Sequence, residues 1–276
     1  MIGRMKILLT ILWVCSVFGF AAGQTLPKKS TPKAEWKLVW SDEFNYRGLP
    51  DPKKWVHKVG GDGWGNQELQ YYTADKPANA RVERGKLIIE ARKEKINSNN
   101  YTSARLVTAG KGDWTYGRFE IRAKLPKGRG TWPAIWMLPS KKTYSDDYWP
   151  NNGEIDIMEH VGHDPGVIHA SAHTKAYNWP RKNQKTATLK VPDAQTAFHT
   201  YALEWSAEKL DVYIDDTKVF SDKNEGSGWE AWPFDQNFHL VLNLAIGGFW
   251  GGAQGVDDTI FPQRMEIDYV RVYQRK

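Results

Sequence analysis

A single cysteine, Cys15, occurs among 276 residues. A disulfide framework is therefore excluded, and an exported form of the chain would have to rest on its packed core. No long basic run is present, and the formal charge is only +6, so nucleic acid is not an expected partner. No stretch carries a helical hydrophobic period of normal length. A His-Glu-x-x-His pattern is absent, and strand phasing scatters His160, His163, His169 and His173, which argues against a catalytic metal. The Gly-rich stretch Asn243–Gly252 lacks the Lys-Ser/Thr ending of a phosphate loop. No cofactor is expected for the chemistry.

The N-terminus reads as a signal peptide over residues 1–23. Arg4 and Lys6 precede the apolar stretch Ile7–Phe20, and Ala21-Ala22-Gly23 supplies small residues for cleavage. A membrane-spanning helix needs about 20 apolar residues, more than this run offers. Cys15 lies inside the signal, and Val14 before it suits lipidation poorly. Removing Arg4 and Lys6 leaves 36 basic against 32 acidic residues, a net +4. A secreted or periplasmic protein follows, with no membrane attachment after cleavage. Residues 24–35, rich in Lys, Pro, Ser and Thr, read as a flexible N-terminal segment. Residues 36–276 read as one domain, expected to be a monomer.

Tryptophan is abundant, with 14 residues. Part of that excess belongs to a core, but indole also stacks on the apolar faces of sugar rings. The segments Lys86–Ala91, Gly117–Lys124, Thr200–Trp205 and Glu266–Tyr273 read as strands, and Lys209–Asp216 with Thr217–Phe220 reads as a hairpin. Period-two patterns punctuated by Gly, Pro, Asn and Asp predict an all-β jelly-roll sandwich. Two curved antiparallel sheets would offer a concave substrate cleft to a long ligand.

The run Gly153–His160 carries the chemistry. Alternation puts Glu154 and Asp156 on one strand face and Ile155 and Ile157 in the core. Glu159 then falls on the wrong face unless a β-bulge near Ile157-Met158 corrects the phase, and bulges are frequent beside active sites. With one residue absorbed, the Cα atoms of Glu154 and Glu159 would lie about 13 Å apart. Side chains leaning inward would close the carboxyls to about 5–5.5 Å, the separation of a retaining glycosidase. Three like charges on one face repel, and a solvated strand face is the plain alternative. A similar run, Glu266-Ile267-Asp268, has no following Glu and no Trp cluster, and is read as structural.

Gly153–Glu159 resembles the active-site motif of glycoside hydrolase family 16, with the one-residue insertion of its laminarinase-type members. Trp40–Phe44, Gly63–Tyr72, Tyr116–Glu120, Thr131–Met137, Asn243–Gly248 and Asp268–Tyr273 match in the family's order. The resemblance implies a jelly-roll sandwich and retaining endo-hydrolysis of β-1,3-glucan, with mixed-linkage β-1,3-1,4-glucan as a second substrate. It implies Glu154 as nucleophile, Asp156 as assisting carboxylate and Glu159 as general acid/base. By the same resemblance Asn66 and Arg105 would hydrogen-bond sugar hydroxyls, and Glu43, the carbonyl of Gly85 and Asp268 would hold a structural calcium ion.

Trp132 and Trp136, four apart, share a strand face and are expected as sugar platforms, against the alternative of core packing. His173 follows on a neighbouring strand and is expected on the leaving-group side. Asn243 and Trp250 are expected to line the cleft, and Trp64 to frame it. Competing readings are a non-catalytic β-glucan-binding protein, which would lack the acids, a transglycosylase using the same intermediate, and a hydrolase of sulfated galactan, which would favour a more basic cleft.

Overall fold

In the computed structural model, Met1 and Glu35–Lys276 are described, and Glu35–Lys276 forms one compact unit. The signal peptide and the segment up to residue 34 lie outside the described residues.

The alternation in Gly117–Lys124 shows how the chain sorts itself. Phe119, Ile121 and Ala123 are fully buried, while Arg118, Glu120, Arg122 and Lys124 stay partly exposed. The strand pairs with Gln263–Arg275 on one side and His199–Trp205 on the other. The latter continues into the hairpin Lys209–Ile214 and Thr217–Lys223, whose turn uses Asp215 at a positive φ of 51°. These strands belong to a sheet of ten.

A second sheet of eight carries Lys185–Lys190, Val167–His173, Glu154–Glu159, Thr131–Pro139, Phe238–Ile246, Arg105–Val107 and Val56–Lys58 in that order, with Asp113–Trp114 beside Phe238–Ile246. Every residue of Phe238–Ile246 is buried, so its near-continuous apolar run marks a strand covered on both faces. The main core, including Phe119, Tyr201, Ile135, Ile155 and Leu242, draws on both sheets. A smaller cluster of Val107, Leu138 and Val241 packs with Trp136 and Tyr148. Among the described residues, helix is confined to two 3₁₀ turns, Trp179–Arg181 and Asp258–Ile260. The sheets are antiparallel with one exception: Gln70–Tyr72 runs parallel to Asn99–Ser103. That pairing departs from the purely antiparallel expectation, and short polar segments carry no direction in their pattern.

The strand Glu154–Glu159 breaks its own period. Asp156 lies opposite Trp136 and Met158 opposite Ile135, so Ile157 is the extra residue against Thr131–Pro139. The same slip occurs between Asp156 and Glu159 against Val167–His173. Ile155, Ile157 and Met158 are all fully buried in the main core. Burying a side chain such as Met contributes roughly 1.5–3 kcal/mol, whereas an unpaired carboxylate in that position would cost several. Apolar preference at two consecutive positions thus selects the bulge, and Glu159 returns to the face of Glu154 and Asp156. Gly153 fits the strand entry because a Cβ there would meet Pro233 Cγ at 2.8 Å, at a φ of +92°.

Candidate active site

Three neighbouring strands position the carboxylates. Glu154 pairs with His173 and Asp156 with Ser171, while Glu159 lies between Ala134 and His169. Asp156 Oδ2 is 3.3 Å from His173 Nε2. Trp132 Nε1 donates to Glu159 Oε1 at 3.1 Å, which fixes that carboxyl against the strand Thr131–Pro139. Asp156 is buried, whereas Glu154 and Glu159 keep part of their surface open.

Burial dominates the electrostatics. It raises Glu154 well above the usual carboxylate range, and the Asp156 charge adds to the rise against the pull of His173. Burial also raises Asp156, opposed by a hydrogen bond with Glu154. These two groups titrate as a pair that shares a proton. Glu159 is pushed up to about 8, first by burial and then by the Asp156 charge, with His173 and the Trp132 hydrogen bond opposing. It is a carboxylic acid at neutral pH, as a general acid must be.

Around these groups the structure brings together the other residues singled out in the sequence. Trp136 Nε1 donates to Asn243 Oδ1 at 2.7 Å. The Arg105 guanidinium lies 4.8 Å from the ring centre of Trp64 and 4.7 Å from that of Trp136. One face of Trp136 is therefore taken by a cation, which departs from a freely open platform. Trp250 meets Trp132 edge-on at 5.5 Å and His169 at 4.7 Å. Asn66 donates to Glu68 Oε1 at 3.1 Å.

Glu68 itself escaped the sequence reading. With Gln70 and Tyr72 it forms a polar set that alternates inward and is buried. Gln70 Nε2 and Tyr72 hydroxyl donate to Glu68 Oε2 at 2.7 and 3.3 Å, and Asn243 Nδ2 donates to the Tyr72 oxygen at 3.0 Å. A chain of hydrogen bonds thus ties Asn66 to Asn243 and Trp136. Its available signal was the polar period of two in a segment flanked by aromatics. His160 is buried and accepts from Gly166 N at 3.2 Å, a structural role.

Glu43, Gly85 and Asp268 meet elsewhere. Asp42 pairs with Val270 and Leu87 with Ile267, so the register brings the three backbones to one junction beside the strand Gln263–Arg275. The oxygen donors suit calcium. Both carboxylates are already engaged: Arg271 grips Glu43 with 2.9 and 2.8 Å bonds, and Arg122 holds Asp268 at 2.6 Å. An ion there would have to displace a guanidinium from Glu43.

Paired acids on one face of a β-sandwich, Glu159 among them protonated at neutral pH, set among indole rings, define a glycosidase cleft. The chain belongs to the glycosyl hydrolases family 16, whose model matches residues 67–271. It is 55% identical to a β-glucanase of Rhodothermus marinus over 99% of this chain and 95% of that one. The crystal structure of the laminarinase from Rhodothermus marinus superposes with a TM-score of 0.87 at 58% identity, covering 88% of this chain and 99% of that one. A non-specific endo-β-1,3(4)-glucanase of the same family superposes with a TM-score of 0.83 at 48% identity, over 87% and 92% of the two chains. The jelly-roll architecture is shared with these structures.

The raised pKa of Glu159 has a stability consequence. Its folded value of about 8 exceeds the ordinary 4.5, so the folded state binds more protons between those limits. Stability contributed by this group is therefore full below about 4.5 and is lost as pH rises through about 8. Glu159→Gln removes the loss. The variant should be more stable than the parent at pH 8 by an order of 2 kcal/mol, discounted for partial exposure, and equal at pH 4. Denaturant unfolding at the two pH values measures this, and an equal difference at both would contradict the raised pKa.

Proposed function

We propose that the protein is a retaining endo-hydrolase of β-1,3-glucan of the laminarin type, with mixed-linkage β-1,3-1,4-glucan as a second substrate. The observation that carries the reading is the bulge that returns Glu159 to the face of Glu154 and Asp156. Similarity to a laminarinase and to an endo-β-1,3(4)-glucanase supports the substrate class.

Glu154 attacks the anomeric carbon while Glu159 gives its proton to the departing oxygen. Glu159, now a base, takes a proton from water, which cleaves the glycosyl–Glu154 ester and restores both groups. Asp156 shares a proton with Glu154, and the negative charge left on that pair opposes early ionisation of Glu159. The Trp132 hydrogen bond holds Glu159 in place between the two steps. Asn66, Arg105, Trp132, Trp136, His173, Asn243 and Trp250 are proposed to contact the sugar. Arg105 Nε is buried without a hydrogen-bond partner, which fits a donor reserved for a hydroxyl.

All three acids are present, which disfavours a purely glucan-binding role. Burial and neighbouring acids outweigh the nearby positive groups at the cleft carboxylates, so a sulfated galactan is disfavoured too. Transglycosylation would use the same ester and differ only in the acceptor. Export to the periplasm or medium by a cleaved signal, and a monomeric state, complete the proposal. Export rests on Arg4, Lys6 and the apolar run that follows. A structural calcium ion at the Glu43–Gly85–Asp268 junction is a separate proposal that requires Arg271 to release Glu43. A rise in Tm with added calcium, reversed by EDTA, supports it, and equal Tm values remove it.

The roles separate in two variants assayed on laminarin. Glu159→Gln should lower kcat/KM by about 10²–10⁴-fold. Glu154→Gly should be inactive alone and should form an α-glycosyl azide when azide is supplied, because the small anion replaces the missing nucleophile. Hydrolysis by the purified Glu154→Gly protein without azide would overturn the assignment.

A further inference from the structure

We propose that the cleft floor is also a site for a divalent transition-metal ion of the zinc class, formed by Glu154, Asp156 and His173, and that this ion competes with the sugar. Glu154 and His173 are Cα partners on adjacent strands, and Asp156 follows two residues along on the same face. One ligand atom from each residue lies within 4.8 Å of the others.

Two features point to an ion. The first is geometric. A tetrahedral zinc with bonds of about 2.0–2.1 Å sets its ligand atoms about 3.3 Å apart. Asp156 Oδ2 and His173 Nε2 stand at 3.3 Å. The second is an unmet polar atom. Asp156 is 2% exposed, and its Oδ2 has no hydrogen-bond partner among the described residues. That atom is the one facing His173.

The donor set selects the metal class. An imidazole nitrogen with two carboxylates suits zinc, copper or nickel, whereas calcium takes six to eight oxygen ligands. Three protein ligands would leave a fourth position for water or a sugar hydroxyl. Affinity should be moderate, because His173 Nδ1 has no partner to orient the ring. Glu159 stays outside the set, held by Trp132.

Metal binding stands on this geometry alone, while the competition rests on the role of Glu154 in hydrolysis. An ion bonded to the Glu154 carboxylate withholds the electron pair that attacks the anomeric carbon, and it fills the space of the sugar.

Cobalt(II) reports the site directly. Titrating the EDTA-dialysed full chain should give one tetrahedral-type visible spectrum per molecule, abolished by zinc. Calorimetry with zinc should show binding weakened at least tenfold in both His173→Gln and Asp156→Asn. Asp156→Asn keeps the side-chain volume and serves should His173→Gln fail to fold. His199→Gln, on the other sheet, should bind zinc like the parent. Zinc should also raise the KM for laminarin while leaving kcat unchanged. Absence of a cobalt spectrum and of calorimetric binding overturns the site, as does unchanged affinity in both variants. Binding that disappears in both variants, yet leaves laminarin hydrolysis untouched by zinc, overturns the competition and counts against the role of Glu154, not against the site.

Discussion

One extra residue in a six-residue strand decides the chemistry of this molecule. With Ile157 and Met158 both buried, the strand cannot keep its period of two, and the next side chain, Glu159, emerges on the open face. A regular strand would send Glu159 into the core and Met158 into the cleft. The first would leave a charge without a partner, and the second would waste apolar surface. The preference that forms the core therefore also assembles the acid and the nucleophile, and folding and catalysis share one local irregularity.

The arrangement carries an electrostatic cost that the surrounding fold offsets. All three acids are raised by burial, and Glu154 and Glu159 are raised further by neighbouring carboxylates. Relief comes from Trp132 on Glu159, from His173 beside Asp156 and from a proton shared within the Glu154–Asp156 pair. Beneath the cleft, Phe238–Ile246 is buried along its whole length and supplies Asn243 to the open face. Glu68 adds a second buried acid, with three hydrogen bonds and the charge of Arg105 opposing its desolvation. A site of this kind is stable because rigid strands hold groups that would otherwise separate.

Much of this was legible in residue order. Gly117–Lys124 was legible because apolar and charged residues alternate without exception from Arg118 to Lys124. The bulge was legible because only a phase slip reconciles Asp156 with Glu159. Other features had a weak local signal or none. Pairing of Gln70–Tyr72 with Asn99–Ser103 joins short polar segments, whose direction is set by tertiary packing. Glu68, Gln70 and Tyr72 invert the usual rule by turning polar groups inward, so a pattern search reads them as loop. The arginines that hold Glu43 and Asp268 come from strand register, which spacing alone does not convey. Trp136 was legible as a cleft residue, but not the guanidinium stacked upon it.

Retention requires that Glu154 and Glu159 stand close enough for one of them to bond the sugar. Inverting enzymes need about 6.5–9.5 Å between carboxyls, to admit a water, whereas retaining enzymes need about 5–5.5 Å. Proton NMR of laminarin hydrolysis in its first minutes, before mutarotation, distinguishes the two. Retention places the β-anomer of the new reducing end first; an α-anomer appearing first would contradict it.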